Sequence, residues 1–119
     1  QYTSKSLKGL INKFDAKIMD SFLMTTKIKN TFGYSGNGDF IKNKKNQIER
    51  FDNNKTKIPL VYCGVQIVKR NQFDNYDSNV FSTNKIWDNN IKHKKLYTFM
   101  TNKKFNHVGT IESVIGLNK

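Results

Sequence analysis

The chain has 119 residues, of which 21 are Lys or Arg and 9 are Asp or Glu, for a net charge of +12, with 36% hydrophobic and 13% aromatic residues. That length holds one domain with one modest core, and the aromatic content beside a single Pro and seven Gly sets it apart from disordered or low-complexity chains. The longest nearly apolar run, Leu60 to Val68, is interrupted by Gln66 and falls short of the roughly 20 residues a membrane-spanning helix needs, while the lone Cys63 excludes an internal disulfide and fits a reducing, cytoplasmic setting.

From the N-terminus, Leu7, Leu10, Ile11 and Phe14 fall on one helical face and predict a helix over Ser4 to Phe14. Asp15 to Asp20 turns the chain. Ser21-Phe22-Leu23-Met24-Thr25-Thr26 is a short, mostly apolar run suited to a buried strand. Three glycines within Gly33 to Gly38 predict a loop in which the backbone turns tightly or approaches something closely. Phe40 to Lys42 and Gln47 to Phe51, joined by the polar Asn43 to Asn46, form a hairpin pattern. Pro59 to Val68, with Val61, Val65, Ile67 and Val68 behind an initiating Pro, is expected to be the central buried strand.

Beyond it, Asn71 to Val80 is polar and suits a loop or short helical turn. Ser82 is placed to cap a helix from Thr83 to about His93, with Ile86, Trp87 and Ile91 on its apolar side. Leu96 to Met100 and Phe105 to Val108 are strand candidates either side of a turn at Asn102-Lys103-Lys104. Thr110 as N-cap and Glu112 near the dipole predict a closing helix over Ile111 to Ile115. No repeat or linker interrupts the series, so the expectation is one α/β unit, residues 1–119, with a partly antiparallel sheet.

The positive charge invites a nucleic-acid partner, since Lys and Arg neutralise phosphates. The residue choice argues against one: only Arg50 and Arg70 carry the guanidinium fork suited to bidentate recognition, against 19 Lys spread through every segment. Abundant Lys, Asn and Ile together match a bias toward A- and T-rich codons, and the short clusters at Lys42/Lys44/Lys45, Lys92/Lys94/Lys95 and Lys103/Lys104 suit solvated faces. A small Lys-rich nucleic-acid-binding module is the alternative function. His93 and His107 lack zinc-ligand spacing with Cys63, and no nucleophile elbow, Walker loop or complete dinucleotide fingerprint is present. Cys63 in an apolar strand reads as packing and Trp87 as core.

The order of the segments carries more than any one of them. Phe14-Asp15-Ala16-Lys17-Ile18-Met19-Asp20-Ser21-Phe22-Leu23-Met24 followed by Gly33-Tyr34-Ser35-Gly36-Asn37-Gly38-Asp39-Phe40 resembles the middle of bacterial sugar-1-phosphate nucleotidyltransferases. Val61-Tyr62-Cys63-Gly64-Val65-Gln66-Ile67 is similar to the family's Tyr/Phe-x-Gly-Ile/Val strand, and Phe81-Ser82-Thr83-Asn84-Lys85-Ile86-Trp87-Asp88 to the helix after it. His107-Val108-Gly109-Thr110-Ile111-Glu112 is similar to the Asp/His-Val-Gly-Thr-Pro-Glu segment near its C-terminus. The branch most resembled comprises N-acetylmuramate α-1-phosphate uridylyltransferases and mannose-1-phosphate guanylyltransferase-like enzymes.

The resemblance implies a Rossmann-like three-layer α/β/α fold, of which this chain is the C-terminal portion with a mixed sheet. It implies transfer of a nucleotidyl group from an NTP to a sugar 1-phosphate, with Mg²⁺, giving an NDP-sugar for cell-wall or polysaccharide precursors, and pyrophosphate. A chain that opens on Gln1 without a Met or a signal core is then expected to be a partial domain. The family's Gly-rich Arg/Lys loop and its strand-end metal Asp would precede residue 1, and the chain alone is expected to be inactive. Gly38 and Asp39 match the acceptor-side loop, where Asp39 either accepts bonds from sugar hydroxyls or caps local amides. Gly64 matches a strand position beneath the sugar, or else marks a bulge. His107 stands where many relatives carry a second metal-binding Asp, and imidazole, a poor ligand for Mg²⁺, would act there only through a metal-bound water or a phosphate oxygen.

Overall fold

A computed structural model describes residues 4–32, 36–53, 56–74, 80–102, 105–106 and 113–117. In chain order the elements are α1 (Ser4–Lys13), β1 (Ser21–Lys27), β2 (Thr31–Phe32), β3 (Phe40–Lys42), β4 (Ile48–Arg50), β5 (Leu60–Lys69), α2 (Val80–Lys92), β6 (Leu96–Met100), β7 (Phe105–Asn106) and β8 (Ser113–Leu117). Short 3-10 turns follow β1 at Ile28–Asn30 and β5 at Arg70–Phe73.

The main sheet is mixed, with strands in the order β4-β3-β5-β1-β6. β1 runs antiparallel to β5 and parallel to β6. The edge of β5 opposite β1 is shared: β3 meets it at Leu60, and β8 runs parallel to it from Val65 to Lys69. β2 and β7 form a separate parallel pair. The sheet curls until the turn between β3 and β4 touches the outer edge of β6, where the Thr98 amide donates to the Asn46 carbonyl at 2.9 Å and Gln47 bridges Tyr97.

One helix covers each face. On the α1 face, Leu10 packs with Phe22 and Met24 of β1, Cys63, Val65 and Ile67 of β5, and Tyr97 of β6, with Leu7 and Phe14 at the margin. On the α2 face, Trp87 packs with Leu23, Phe40, Ile48 and Leu96. Val65 and Ile67 are buried, as a central strand requires. Pairing of Leu23 with Gln66 and of Thr25 with Tyr62 leaves two extra residues in β5, and Gly64 takes φ +84° within that bulge. The excursion preserves the facing of side chains on either side of it.

Polar groups drawn into the core are paired. Thr98 Oγ1 donates to the Leu23 carbonyl at 2.8 Å, so its contact with Thr25 Oγ1 at 2.6 Å is made by the Thr25 proton. Trp87 Nε1 donates to Gln66 Oε1 at 2.9 Å, and Asn90 Nδ2 to Gln72 Oε1 at 2.8 Å. Among the described residues no buried side-chain polar atom lacks a partner. Lys69 Nζ joins Asp20 at 3.3 Å, tying the end of β5 to the start of β1.

Two expectations are corrected. The helix predicted to begin at Thr83 under a Ser82 cap begins at Val80, so Ser82 lies inside it. The closing helix over Ile111 to Ile115 is replaced, over its described part, by strand β8: Val114, Ile115 and Leu117 belong to a β-branched and apolar run that finds an open edge of β5, and pairing with that edge decides its conformation. The helix from Ser4 and the strands expected at Ser21, Phe40, Gln47, Pro59 and Leu96 are present with bounds within one residue, and the strand expected from Phe105 is present at Phe105–Asn106, its continuation to Val108 lying outside the described residues.

Candidate functional site

The loop Gly36 to Asp39 brings Asp39 to the end of the sheet at which the parallel strands β1 and β6 finish, with β5 between it and β1. Phe40, the first residue of β3, pairs with Leu60, and Leu60 pairs with Lys27, the last residue of β1. In open α/β sheets ligands gather outside such strand ends. Three hydrogen bonds hold Asp39 there. Its amide donates to the Leu60 carbonyl at 2.8 Å, its carbonyl accepts from the Phe51 amide at 3.0 Å, and its Oδ2 accepts from the Tyr62 amide at 3.0 Å. The second carboxylate oxygen has no hydrogen-bond partner among the described residues. Asp39 therefore caps a local amide, as one of its two predicted roles requires.

Gly38 is required by its neighbours. It takes φ +117°, and a Cβ built on it would lie 2.4 Å from Pro59 Cβ. What approaches the backbone closely here is Pro59, the residue just before β5. Gly64 is buried in the bulge two residues past Tyr62, so the strand irregularity expected of it is present. His107 lies outside the described residues, as does the whole His107 to Glu112 segment that carried the resemblance at the C-terminus.

An aromatic wall stands behind Asp39. The Tyr62 and Trp87 rings meet edge to face at 5.0 Å, and those of Phe40 and Trp87 at 5.5 Å. The guanidinium of Arg50 lies 5.3 Å from the Phe40 ring centroid and 5.6 Å from that of Trp87. It donates from Nε to Asp88 Oδ1 at 3.1 Å and from Nη2 to Asn84 Oδ1 at 2.9 Å. None of Arg50, Tyr62, Asn84 and Pro59 stood out as a site residue in the sequence. The one available signal was Arg50 itself, an arginine in a chain that otherwise uses lysine.

Cys63 is no nucleophile in this setting: burial pushes its thiol up from 9.0 to about 12, so the thiolate is absent at neutral pH. No group of three or more His, Cys, Asp or Glu side chains converges among the described residues. No helix among them is long and apolar enough to cross a membrane. Comparison with protein-family models, curated proteins and solved structures found no match to this chain.

Proposed function

We propose that this chain is the acceptor-side portion of a sugar-1-phosphate nucleotidyltransferase with a Rossmann-like three-layer fold. The observation that carries the proposal is Asp39, with one carboxylate oxygen unpaired among the described residues, at the end of the sheet where β1 and β6 finish. The order of the sequence segments, with one helix on each face of a mixed sheet, supports it. In the reaction an oxygen of the sugar 1-phosphate attacks the α-phosphorus of an NTP, the bond to the β-phosphate breaks, and pyrophosphate leaves. Such chemistry depends chiefly on positioning and neutralisation of charge. The part assigned to this chain is positioning: Asp39 takes a hydrogen bond from a sugar hydroxyl and fixes the ring while its phosphate is held for attack. Mg²⁺ is implied by the resemblance, and among the described residues no three or more His, Cys, Asp or Glu side chains gather to hold it.

The test is a titration of the 119-residue chain with N-acetyl-α-D-glucosamine 1-phosphate and α-D-mannose 1-phosphate, followed by amide chemical shifts. Shifts should centre on Gly38, Asp39 and Tyr62. Asp39→Ala should weaken binding by roughly tenfold to a hundredfold, the worth of a hydrogen bond to a charged group, while the sheet amides stay in place. In a longer protein carrying the Gly-rich Arg/Lys loop, the same substitution should reduce use of the sugar phosphate and leave NTP binding intact. Binding that is equal in the parent and in a folded Asp39→Ala variant would reduce Asp39 to a turn residue.

A further inference from the structure

Arg50 is one of two arginines beside 19 lysines, and its surroundings use the geometry that distinguishes the two residues. A planar guanidinium can stack on rings and fork two hydrogen bonds at once, whereas an ammonium is a point charge. Arg50 does both: it lies against Phe40 and Trp87 and donates to Asp88 and Asn84. In this way it ties β4 to the middle of α2. The ion pair is half-exposed, with side-chain accessibilities of 40% for Arg50 and 63% for Asp88, a setting in which salt bridges add little to stability.

The groups that Arg50 braces are those that fix Asp39. Phe40 is its neighbour in sequence. Trp87 packs on Tyr62, and the Tyr62 amide is the donor to the Asp39 carboxylate. A continuous line of contact thus runs from Asp88 and Asn84 through Arg50, Phe40, Trp87 and Tyr62 to Asp39. We infer that Arg50 is a positioning residue for Asp39: by holding α2 against the β3–β4 hairpin it sets the Tyr62 amide and the Asp39 carboxylate in register, leaving the second carboxylate oxygen without a partner among the described residues. That this oxygen then meets a sugar hydroxyl rests on the function proposed above.

Amide hydrogen exchange and a sugar-phosphate titration of Arg50→Lys test it. The substitution keeps the charge and removes the fork and the stack. The Tyr62 amide should exchange at least about tenfold faster than in the parent, while the amides of Ile67 and Val68, beyond the bulge in β5, keep their protection. Binding of N-acetyl-α-D-glucosamine 1-phosphate should weaken by about tenfold or more, as expected when a binding group is displaced without being removed. Asp88→Ala, which frees one tooth of the fork at an exposed site, should move the Tyr62 amide in the same direction by less, and it serves if Arg50→Lys does not fold. An unchanged Tyr62 amide in the folded variants would overturn the inference whatever the ligand does. A Tyr62 amide that responds in a parent that binds no sugar phosphate sustains the positioning role and overturns the acceptor function.

Discussion

Replacing Gly38 with Ala separates a structural from a ligand-binding reason for that glycine. Non-bonded carbons settle at about 3.5–4.0 Å, so a methyl placed 2.4 Å from Pro59 Cβ forces a gap of roughly 1 Å to open between the Gly38 loop and the start of β5. Overpacking of this kind costs about 1–3 kcal/mol. Holding a non-glycine residue near φ +117° adds about 1–3 kcal/mol. The expected loss is therefore about 2–6 kcal/mol, a large share of the stability of an ordinary domain. For 119 residues the unfolding entropy is about 0.25 kcal/mol/K, so the melting temperature should fall by about 8–24 °C. Thermal melts of Gly38→Ala, Pro59→Gly and the double variant measure this. Pro59→Gly removes the atom that collides, so the double variant should be less destabilised than the sum of the singles by about 1–3 kcal/mol. A loss under about 1 kcal/mol, or strict additivity with Pro59→Gly, refutes the steric account, and weakened sugar-phosphate binding in a fully stable Gly38→Ala would move the reason for this glycine to the ligand.

Trp87→Phe keeps most of the ring packing but removes the donor to Gln66 Oε1 in the core, and urea unfolding should show a loss of about 1–3 kcal/mol. Lys94 adopts φ +60° just past α2, where the Lys95 amide reaches the Asn90 carbonyl at 2.8 Å and the Lys94 amide reaches that of Ile91 at 3.0 Å. Lys94→Gly should therefore raise stability by about 0.5–1 kcal/mol in the same assay, the relief of the left-handed strain less the added freedom of the unfolded chain. The Cys63 thiol should resist maleimide at pH 8 in the folded chain and react at once in urea. Because its folded value is raised from 9.0 to about 12, the unfolded state loses the proton first, so stability should be unaffected by this group below pH 9 and fall steadily as the pH rises from 9 toward 12. A pH series of urea midpoints checks that sign.

What the sequence disclosed and what it withheld divide along the range of the interactions involved. The α1 stripe and the apolar alternation of β5 are local patterns, set by residues within a turn or a strand of one another, and both were legible. Ile11 shows the limit even there: it lies on the apolar side of the helical pattern yet remains 44% exposed, because the sheet contacts a narrower stripe centred on Leu7, Leu10 and Phe14. The start of α2 was misplaced because a Ser ahead of an apolar run is as acceptable inside a first turn as at its cap. The segment after Glu112 was misread because five residues fit either period, and the open edge of β5 that settled the matter lies more than forty positions away. At the candidate site, glycine spacing marked the loop over Gly33 to Gly38, and the family resemblance singled out Gly38 and Asp39. Pro59 against Gly38, Tyr62 beneath the Asp39 carboxylate and Arg50 between two rings are all meetings across the sheet, and no local pattern encodes them.

The two extra residues in β5 impose a rule of parity on how this chain can change length. A pleated strand presents alternate residues to opposite sides, so an insertion there leaves the rest of the strand in phase only if it is even. Removing Gly64 alone would rotate everything before it by half a period: Tyr62 would leave Trp87 for the α1 side, and Cys63 would take up the side that Trp87 occupies. The Asp39 carboxylate would then face a different amide. Removing Cys63 and Gly64 together would instead leave an unbroken antiparallel ladder, with every remaining side chain on its present face and no residue at φ +84° to accommodate.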